Sequence, residues 1–235
     1  MENLIEKIRI ELKANSNEKI KASSQRLFKH QIKNYGVRNP VVNKISKDFY
    51  KLIYPKTKFE IFDLCERLFQ SAYIEESLIA CHWSFRVHKN YTQNDFQIFE
   101  KWINNYVNNW AICDTLCNHS VGTFIERFPE YTIWLKKLAK SENLWMRRAA
   151  AVSLIVPARK GLFLTDILEI ADILLLDKED MVQKGYGWML KVASETNQQA
   201  IFDYIIKNKA VMPRTALRYA IEKMPEKLKK QAMKK

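Results

Sequence analysis

The chain has 235 residues, enough for a sizeable core, and its 47% hydrophobic and 12% aromatic content excludes a disordered protein. Its 39 Lys and Arg against 26 Asp and Glu give a net charge of +13, which favours a polyanionic partner and nucleic acid above others. It has no run of about 18 apolar residues, and the charged start MENLIEKIRIELKANSN excludes a signal peptide. We therefore expect a cytoplasmic protein that does not bind membranes.

The periodicity of apolar residues predicts helices along almost the whole chain, as in LIEKIRIEL, FEIFDLCERLF and FQIFEKWINNYV. Only 5 Gly and 6 Pro interrupt it, and strand-like alternation between hairpin turns is weak. We predict an all-α protein that begins with three helices over about residues 1–52. The segment GVRNP marks a turn among them, because Gly36 tolerates unusual backbone angles and Pro40 suits a helix start.

The remaining chain, 53–235, shows a weak period of helix pairs. The second helices of the pairs are predicted to begin near Glu76, Trp110, Trp145, Val182 and Arg214, at offsets of 34, 35, 37 and 32 residues. A shorter amphipathic helix precedes each of them: FEIFDLCERLFQ, FQIFEKWINNYV, PEYTIWLKKLAK, LTDILEIADILL and QAIFDYIIKNK. Such spacing is typical of an α-solenoid. We predict a single HEAT-like-repeat domain over 1–235 with about five repeats, and irregular helix packing is the alternative.

The cysteines give no sign of a metal site. Cys65, Cys81, Cys113 and Cys117 form no CxxC pair, and in a reducing compartment they would be free thiols. Cys113, Cys117 and His119 lie close together, but their uneven helical phase makes a poor zinc site. We interpret both cysteines as helix packing and expect no metal.

Residue types that can bind a ligand or take part in catalysis recur on three consecutive second helices. Trp110 and Asp114 are four residues apart and therefore share a helix face. Arg147 and Arg148 open the next second helix, and Trp188 lies on the one after that. Each has an ordinary interpretation as a core residue, a helix-dipole partner or a solvated corner. Their recurrence favours a shared site on the inner, concave face of the solenoid.

The segments NWAICD, LWMRRAA and VQKGYGWML together resemble the AlkD family of HEAT-like-repeat DNA glycosylases. MPRTALRYAIEKM is similar to a C-terminal segment of DNA alkylation repair proteins in the same superfamily. The similarity runs from about Phe28 to Met224 and is strongest from Trp110 onward. It implies a right-handed, C-shaped α-solenoid that holds duplex DNA in a basic concave groove. It also implies excision of cationic N3- or N7-alkylated purines, without a metal or organic cofactor, from a lesion that stays stacked in the duplex.

The resemblance assigns roles to matching positions. Asp114 matches the catalytic carboxylate, Trp110 and Trp188 match the aromatic walls, and Arg148 matches a backbone-binding arginine. An alkylated purine leaves readily, so the difficult step is the oxocarbenium-like sugar, which a carboxylate near C1′ stabilises while it positions water. Indole faces attract such cations by about 0.5 to 2 kcal/mol. An arginine can clamp a phosphate through two hydrogen bonds.

Two positions depart from the family pattern. Leu27 falls near a position where AlkD-like enzymes can carry a tyrosine, and Lys191 stands where an arginine is typical. Because Lys and Arg differ in phosphate geometry, these departures leave a second hypothesis open: a noncatalytic HEAT-like-repeat protein that binds branched or distorted DNA. A protein-binding solenoid is a third hypothesis, which the charge of +13 disfavours.

Basic residues supply candidates for contacts to the DNA backbone. The stretch KIKASSQRLFKHQIKNYGVRNPVVNKISK is the most concentrated source. The full candidate set is Lys29, Lys33, Arg38, Arg147, Arg148, Lys184 and Lys191. The expected partner is double-stranded DNA, alkylated or branched, bound by a monomer.

Replacing Lys29, Lys33 and Arg38 by glutamine is expected to weaken DNA binding uniformly across sequences and to flatten its salt dependence. The reason is that a variant with fewer phosphate contacts releases fewer counterions from the DNA when it binds. The measurement is the dissociation constant of a duplex between about 50 and about 200 mM salt. An unchanged salt slope would remove this stretch from the interface.

Overall fold

A computed structural model describes residues 2–234, and all its regular elements are helical. They are α1 (Glu2–Ala14), α2 (Glu18–Gln25), α3 (Asn39–Ile53), α4 (Lys58–Gln70), α5 (Ile74–Arg86), α6 (Asp95–Tyr106), α7 (Trp110–Leu116), α8 (Gly122–Arg127), α9 (Thr132–Leu138), α10 (Leu144–Val152), α11 (Ile155–Arg159), α12 (Leu164–Leu174), α13 (Asp180–Ala193), α14 (Gln198–Asn208), α15 (Arg214–Ile221) and α16 (Glu226–Met233). Short 3₁₀ turns lie at His88–Asn90 and Pro129–Tyr131, and a π-helical turn at Cys117–Val121 joins α7 to α8. The all-α prediction is confirmed.

In chain order, the helices that correspond to the five predicted pairs are α4 and α5, α6 and α7, α9 and α10, α12 and α13, and α14 and α15. Their second helices begin at Ile74, Trp110, Leu144, Asp180 and Arg214, each within about two residues of its predicted start. The three helices predicted over about residues 1–52 correspond to α1, α2 and α3. An α-solenoid accounts for this order of elements.

The chain divides into two compact units. The first runs up to Asp95 and includes Asn105–Leu116, and the second consists of Phe96–Asn104 and the chain from Cys117 onward. In the first unit α3, α5 and α7 pack in succession, with α4 against α5. The single-domain organisation stays a prediction.

The second unit repeats this pattern, with α10, α13 and α15 packed in succession. Gly187 permits the close approach of α13 to α15. A Cβ there would lie 2.7 Å from Cβ of Tyr219 and 2.8 Å from the carbonyl oxygen of Ala216. In both units the second helices of neighbouring pairs pack on one another, which is the stacking expected of helical repeats.

A buried carboxylate joins the irregular segment between α2 and α3 to the start of α5. Glu75 is 3% exposed and accepts the backbone N–H groups of Tyr35 at 3.0 Å, Gly36 at 3.0 Å and Val37 at 3.1 Å. Gly36 has φ +80°, and a Cβ there would lie 2.5 Å from the carbonyl oxygen of Asn17, so glycine is required. The segment is therefore held by hydrogen bonds to a helix forty residues away.

The neighbouring residue Glu76 adds a second connection. Its carboxylate accepts the Tyr35 hydroxyl at 2.7 Å and Nε of Arg9 at 3.2 Å. Burial, with the hydrogen bond to Glu76, raises the pKa of the Tyr35 hydroxyl well above its usual value. α1, the irregular segment and α5 are thus joined through adjacent carboxylates.

None of the helices between residues 2 and 234 combines the length and the apolar composition needed to cross a lipid bilayer. The four cysteines are buried and unbonded to one another, as predicted. Burial raises the pKa of the Cys65 thiol.

The Glu75→Gln substitution is expected to lower the free energy of unfolding by about 2 to 3 kcal/mol, because the amide turns a donor toward backbone N–H groups and loses charge-assisted bonds. Urea unfolding measures the change. The exposed Glu18→Gln serves as control and should stay within about 0.5 kcal/mol of wild type. Equal stability of the two variants would contradict the structural role of Glu75.

Candidate functional site

The start of α7 is set by an asparagine cap. Oδ1 of Asn109 accepts the N–H of Ile112 at 3.1 Å, which makes Trp110 the first residue of the helix. Ile112 and Cys113 are buried and fix one face of α7 against the core. Trp110 and Asp114 are only half-buried and occupy the other face, one turn apart.

Trp110 and Asp114 line one cavity of about 510 Å³ in the first unit. The irregular segment between α2 and α3 supplies another wall. The Phe28 ring stacks on Trp110, with centroids 5.4 Å apart and an interplanar angle of 18°. Nε1 of Trp110 donates to the carbonyl oxygen of Leu27 at 3.3 Å. Phe28, the residue after Leu27, thus places an aromatic ring against Trp110.

Arg38 adds a positive charge to the same cavity. This arginine lines the cavity, is exposed, and immediately precedes α3. No residue between 2 and 234 forms an ion pair or hydrogen bond with its guanidinium. Lys29 and Lys33 are also exposed, but neither lines this cavity. Of the three cations predicted in this segment, the structure brings only Arg38 to Asp114 and Trp110.

The predicted residues at the start of α10 lie in the second unit and are engaged there. Nε of Arg147 donates to Asp177 at 2.6 Å, and its Nη1 donates to the carbonyl oxygens of Ser141 and Glu142 at 2.9 Å. Arg148 is 5% exposed, and its Nη1 donates to the carbonyl oxygen of Met181. The contact that the resemblance implies between Arg148 and a DNA phosphate stays a prediction.

The predicted residues of α13 also lie in the second unit. Lys184 pairs with Asp180 at 2.8 Å, and Lys191 pairs with Glu222 at 3.0 Å. Trp188 is half-buried on the same helix. Their roles in DNA contact likewise stay predictions.

A cluster of basic residues in the first unit lies partly in the predicted basic stretch, which ends at Lys47, and partly beyond it. Lys44, Lys47 and Lys51 of α3 line a groove of about 440 Å³ together with Arg86. The pKa of the Asp48 carboxyl is lowered by its hydrogen bond to Lys51, and Lys44 and Lys47 lower it further. The spacing of three and four residues on one helix face was the available signal. Phe28 had none, because its irregular segment has no periodicity.

The part of the chain that the structure describes contains no set of side chains suited to bind a metal ion. No group of three or more His, Cys, Asp or Glu side chains between residues 2 and 234 is arranged to hold a metal ion. His119 lies on the π-helical turn, and burial of its ring lowers its pKa.

Known proteins identify the family. The family model described as DNA alkylation repair enzyme matches residues 8–224. The solved structure of a predicted DNA alkylation repair enzyme from Enterococcus faecalis is similar, with a TM-score of 0.81 and 18% identity over 90% of this chain and 98% of that chain. At that identity, the likeness shows a common fold. No curated protein matches the chain significantly. Because the family match spans most of the sequence, the chain belongs to the family of DNA alkylation repair enzymes.

Proposed function

We propose that the protein is a monofunctional DNA glycosylase that hydrolyses the N-glycosidic bond of purines alkylated at N3 or N7 in duplex DNA. Membership of the DNA alkylation repair enzyme family supports a role in DNA repair. The observation that carries the finer proposal is the cavity of the first unit, where a carboxylate, stacked aromatic rings and an arginine meet.

In the proposed reaction the C1′–N bond breaks and its electron pair moves to the base, which neutralises the positive charge of the base. The Asp114 carboxylate stabilises the cationic sugar, since a preorganised negative charge is most effective where positive charge develops. It then accepts a proton from the water that attacks C1′. The products are a neutral alkylpurine and an abasic sugar with a hydroxyl at C1′.

Aromatic rings beside this carboxylate serve the same cation. Trp110 and Phe28 present π faces in the cavity, and such faces attract cations by about 0.5 to 2 kcal/mol. The proposal extends this role to Trp188, and a phosphate contact to Arg148 and Lys191, as the resemblance implies. These second-unit roles are part of the proposal.

The surrounding charge supports a polyanionic partner. A carboxylate alone would repel DNA, but Arg38 lines the same cavity as Asp114. Lys44, Lys47 and Lys51 add three positive charges along α3 against the single acid Asp48. This arrangement permits the enzyme to attract phosphates while keeping one negative charge for the sugar cation.

The second candidate is noncatalytic binding of branched or distorted DNA. Two observations favour it. Leu27 stands near a position that carries a tyrosine in AlkD-like enzymes, and the Arg148 guanidinium is buried on a backbone carbonyl. The two candidates share the DNA partner and differ in chemistry.

The Asp114→Asn substitution is expected to reduce base release by about 100-fold or more, because the charge that stabilises the sugar cation is lost. DNA affinity should stay equal or rise, since a negative charge beside phosphates is removed. The assay is single-turnover release of 7-methylguanine and 3-methyladenine from methylated duplex DNA. The exposed Asp63→Asn of α4 is the matched control.

Three results are informative in this assay. Loss of release with retained binding supports the glycosylase. Loss of both in Asp114→Asn points to a structural role for Asp114. No release by wild type, together with preferential binding of four-way DNA, supports the second candidate.

Replacing Lys44, Lys47 and Lys51 together by glutamine is expected to make the slope of log affinity against log salt shallower by about 2 to 3, because about 0.9 counterion is released per phosphate contact. Binding is measured with one duplex at several salt concentrations. The matched control carries Lys227→Gln, Lys229→Gln and Lys230→Gln in α16. If the slope becomes shallower in the α16 variant and stays unchanged in the α3 variant, the phosphate contacts lie on α16.

A further inference from the structure

Gln25, the last residue of α2, is hydrogen-bonded to the chain that follows it. Its carbonyl oxygen accepts the N–H of Phe28 at 3.1 Å. Its side-chain Nε2 donates to the carbonyl oxygen of His30 at 2.9 Å, and its Oε1 accepts the N–H of Ile32 at 3.0 Å. Backbone groups outside regular helices need such partners. Gln25 therefore fixes the course of residues 26–32, the first part of the segment between α2 and α3, which we call the Gln25 loop.

The other end of the Gln25 loop is attached to α5. The carbonyl oxygen of Lys33, the residue after the loop, accepts the N–H of Ile74 at 3.0 Å. Shortly afterwards residues 35–37 donate their N–H groups to the buried Glu75 carboxylate. Hydrogen bonds thus hold the loop at both ends, to Gln25 at the start and to α5 at the finish.

The Gln25 loop makes two contacts with Trp110. The ring of Phe28 stacks on the indole, with centroids 5.4 Å apart and an interplanar angle of 18°. The carbonyl oxygen of Leu27 accepts the indole Nε1–H at 3.3 Å. Stacking limits the tilt of the indole plane, and the hydrogen bond at its edge limits rotation within that plane. Together the two contacts define the orientation of the indole.

The orientation of this indole matters for the proposed reaction. A cation is attracted to the face of an aromatic ring and not to its edge, because the quadrupole of the ring is negative on the face and positive at the edge. Trp110 lines the same cavity as Asp114, which is the carboxylate assigned to the cationic sugar. An indole that is held in place before the cation forms stabilises it without first having to be ordered.

We propose that Gln25 is a positioning residue for the proposed base excision. It holds the Gln25 loop, and the loop in turn fixes the Trp110 indole in the orientation that stabilises the cationic sugar. The inference rests on the proposed glycosylase function. It requires no movement of the alkylated base out of the duplex, because the indole acts at the sugar.

The variant Gln25→Ala tests this role, because alanine removes both side-chain hydrogen bonds. The conservative variant is Gln25→Glu, whose carboxylate still accepts the N–H of Ile32 but cannot donate to the carbonyl oxygen of His30. The matched control is Gln31→Ala at an exposed position of the same loop. None of the residues of α2 is buried, so Gln25→Ala should unfold near the wild-type temperature. Phe28→Leu carries the test where Gln25→Ala fails to fold.

The first measurement is single-turnover release of 7-methylguanine from methylated duplex DNA at several protein concentrations. The rate at saturating Gln25→Ala is expected to fall roughly 3- to 10-fold, within the range that loss of a cation–π contact produces. The concentration at half-saturation should stay unchanged. Gln25→Glu should lie between wild type and Gln25→Ala, and Gln31→Ala should match wild type. Equal rates for wild type and Gln25→Ala, or a weakened affinity that accounts for the slower release, would overturn the proposal.

A double-mutant cycle tests whether Gln25 acts through Trp110. In the Trp110→Ala background, Gln25→Ala is expected to leave the rate unchanged within about 2-fold, because the indole that it positions is absent. If Gln25→Ala lowers the rate by the same factor in both backgrounds, its effect does not pass through Trp110 and the proposal is wrong.

A third measurement does not need catalysis. Protein labelled with 5-fluorotryptophan gives a ¹⁹F resonance for each of its 6 Trp residues, and the resonance missing from Trp110→Phe belongs to Trp110. This resonance should shift in Gln25→Ala and stay in place in Gln31→Ala, because the ring current of Phe28 acts on the indole while the two rings are stacked. A resonance that does not move in Gln25→Ala would overturn the hold of Gln25 on Trp110.

These outcomes are separable from those of the glycosylase assay. A wild-type protein that releases no methylpurine, with a Trp110 resonance that moves in Gln25→Ala, would overturn the proposed function and keep the hold of Gln25 on the indole. Methylpurine release that is equal in wild type and Gln25→Ala would keep the glycosylase and overturn the positioning role.

Discussion

Three consecutive backbone N–H groups converge on the buried carboxylate of Glu75, and the candidate site of the first unit depends on this interaction. The chain between α2 and α3 has no regular helix, so its backbone groups need partners from elsewhere. Glu75 supplies them in a single side chain, at a position where Gly36 alone permits the backbone to turn. Phe28, Asn34 and Arg38 reach the cavity of Trp110 and Asp114 because the segment that carries them is held in this way.

The placement of charge bears on how a basic protein could use the Asp114 carboxylate in the proposed reaction. Asp114 lies beside aromatic rings and shares its cavity with Arg38, which is the combination of charges that the proposed function requires. The candidate cations differ in their ion pairs. In the second unit Arg147 and Lys191 are paired with carboxylates, whereas Lys44 and Lys47 of the first unit share one acid with Lys51.

The candidate residues Trp110 and Asp114 lie on a short capped helix, which presents their side chains without burying them fully. α7 shows the principle. Its Asn109 cap fixes the first turn, its buried face anchors it, and its half-buried face presents Trp110 and Asp114. The following π-helical turn then leads into α8. Turns of this kind occur often at functional sites because they allow local departures from regular helix geometry.

The sequence by itself determined the helices, their order and the common face of Trp110 and Asp114, because apolar periodicity, capping and four-residue spacing are local properties of the chain. Only the tertiary structure decided that Phe28, and not Leu27, stacks on Trp110, that Asn34 lines the same cavity, and that Arg148 is buried. These facts depend on an irregular segment without periodicity and on contacts between residues far apart in the chain, such as the forty residues from Tyr35 to Glu75. A linear pattern does not encode such contacts, because they arise only when separate elements pack together.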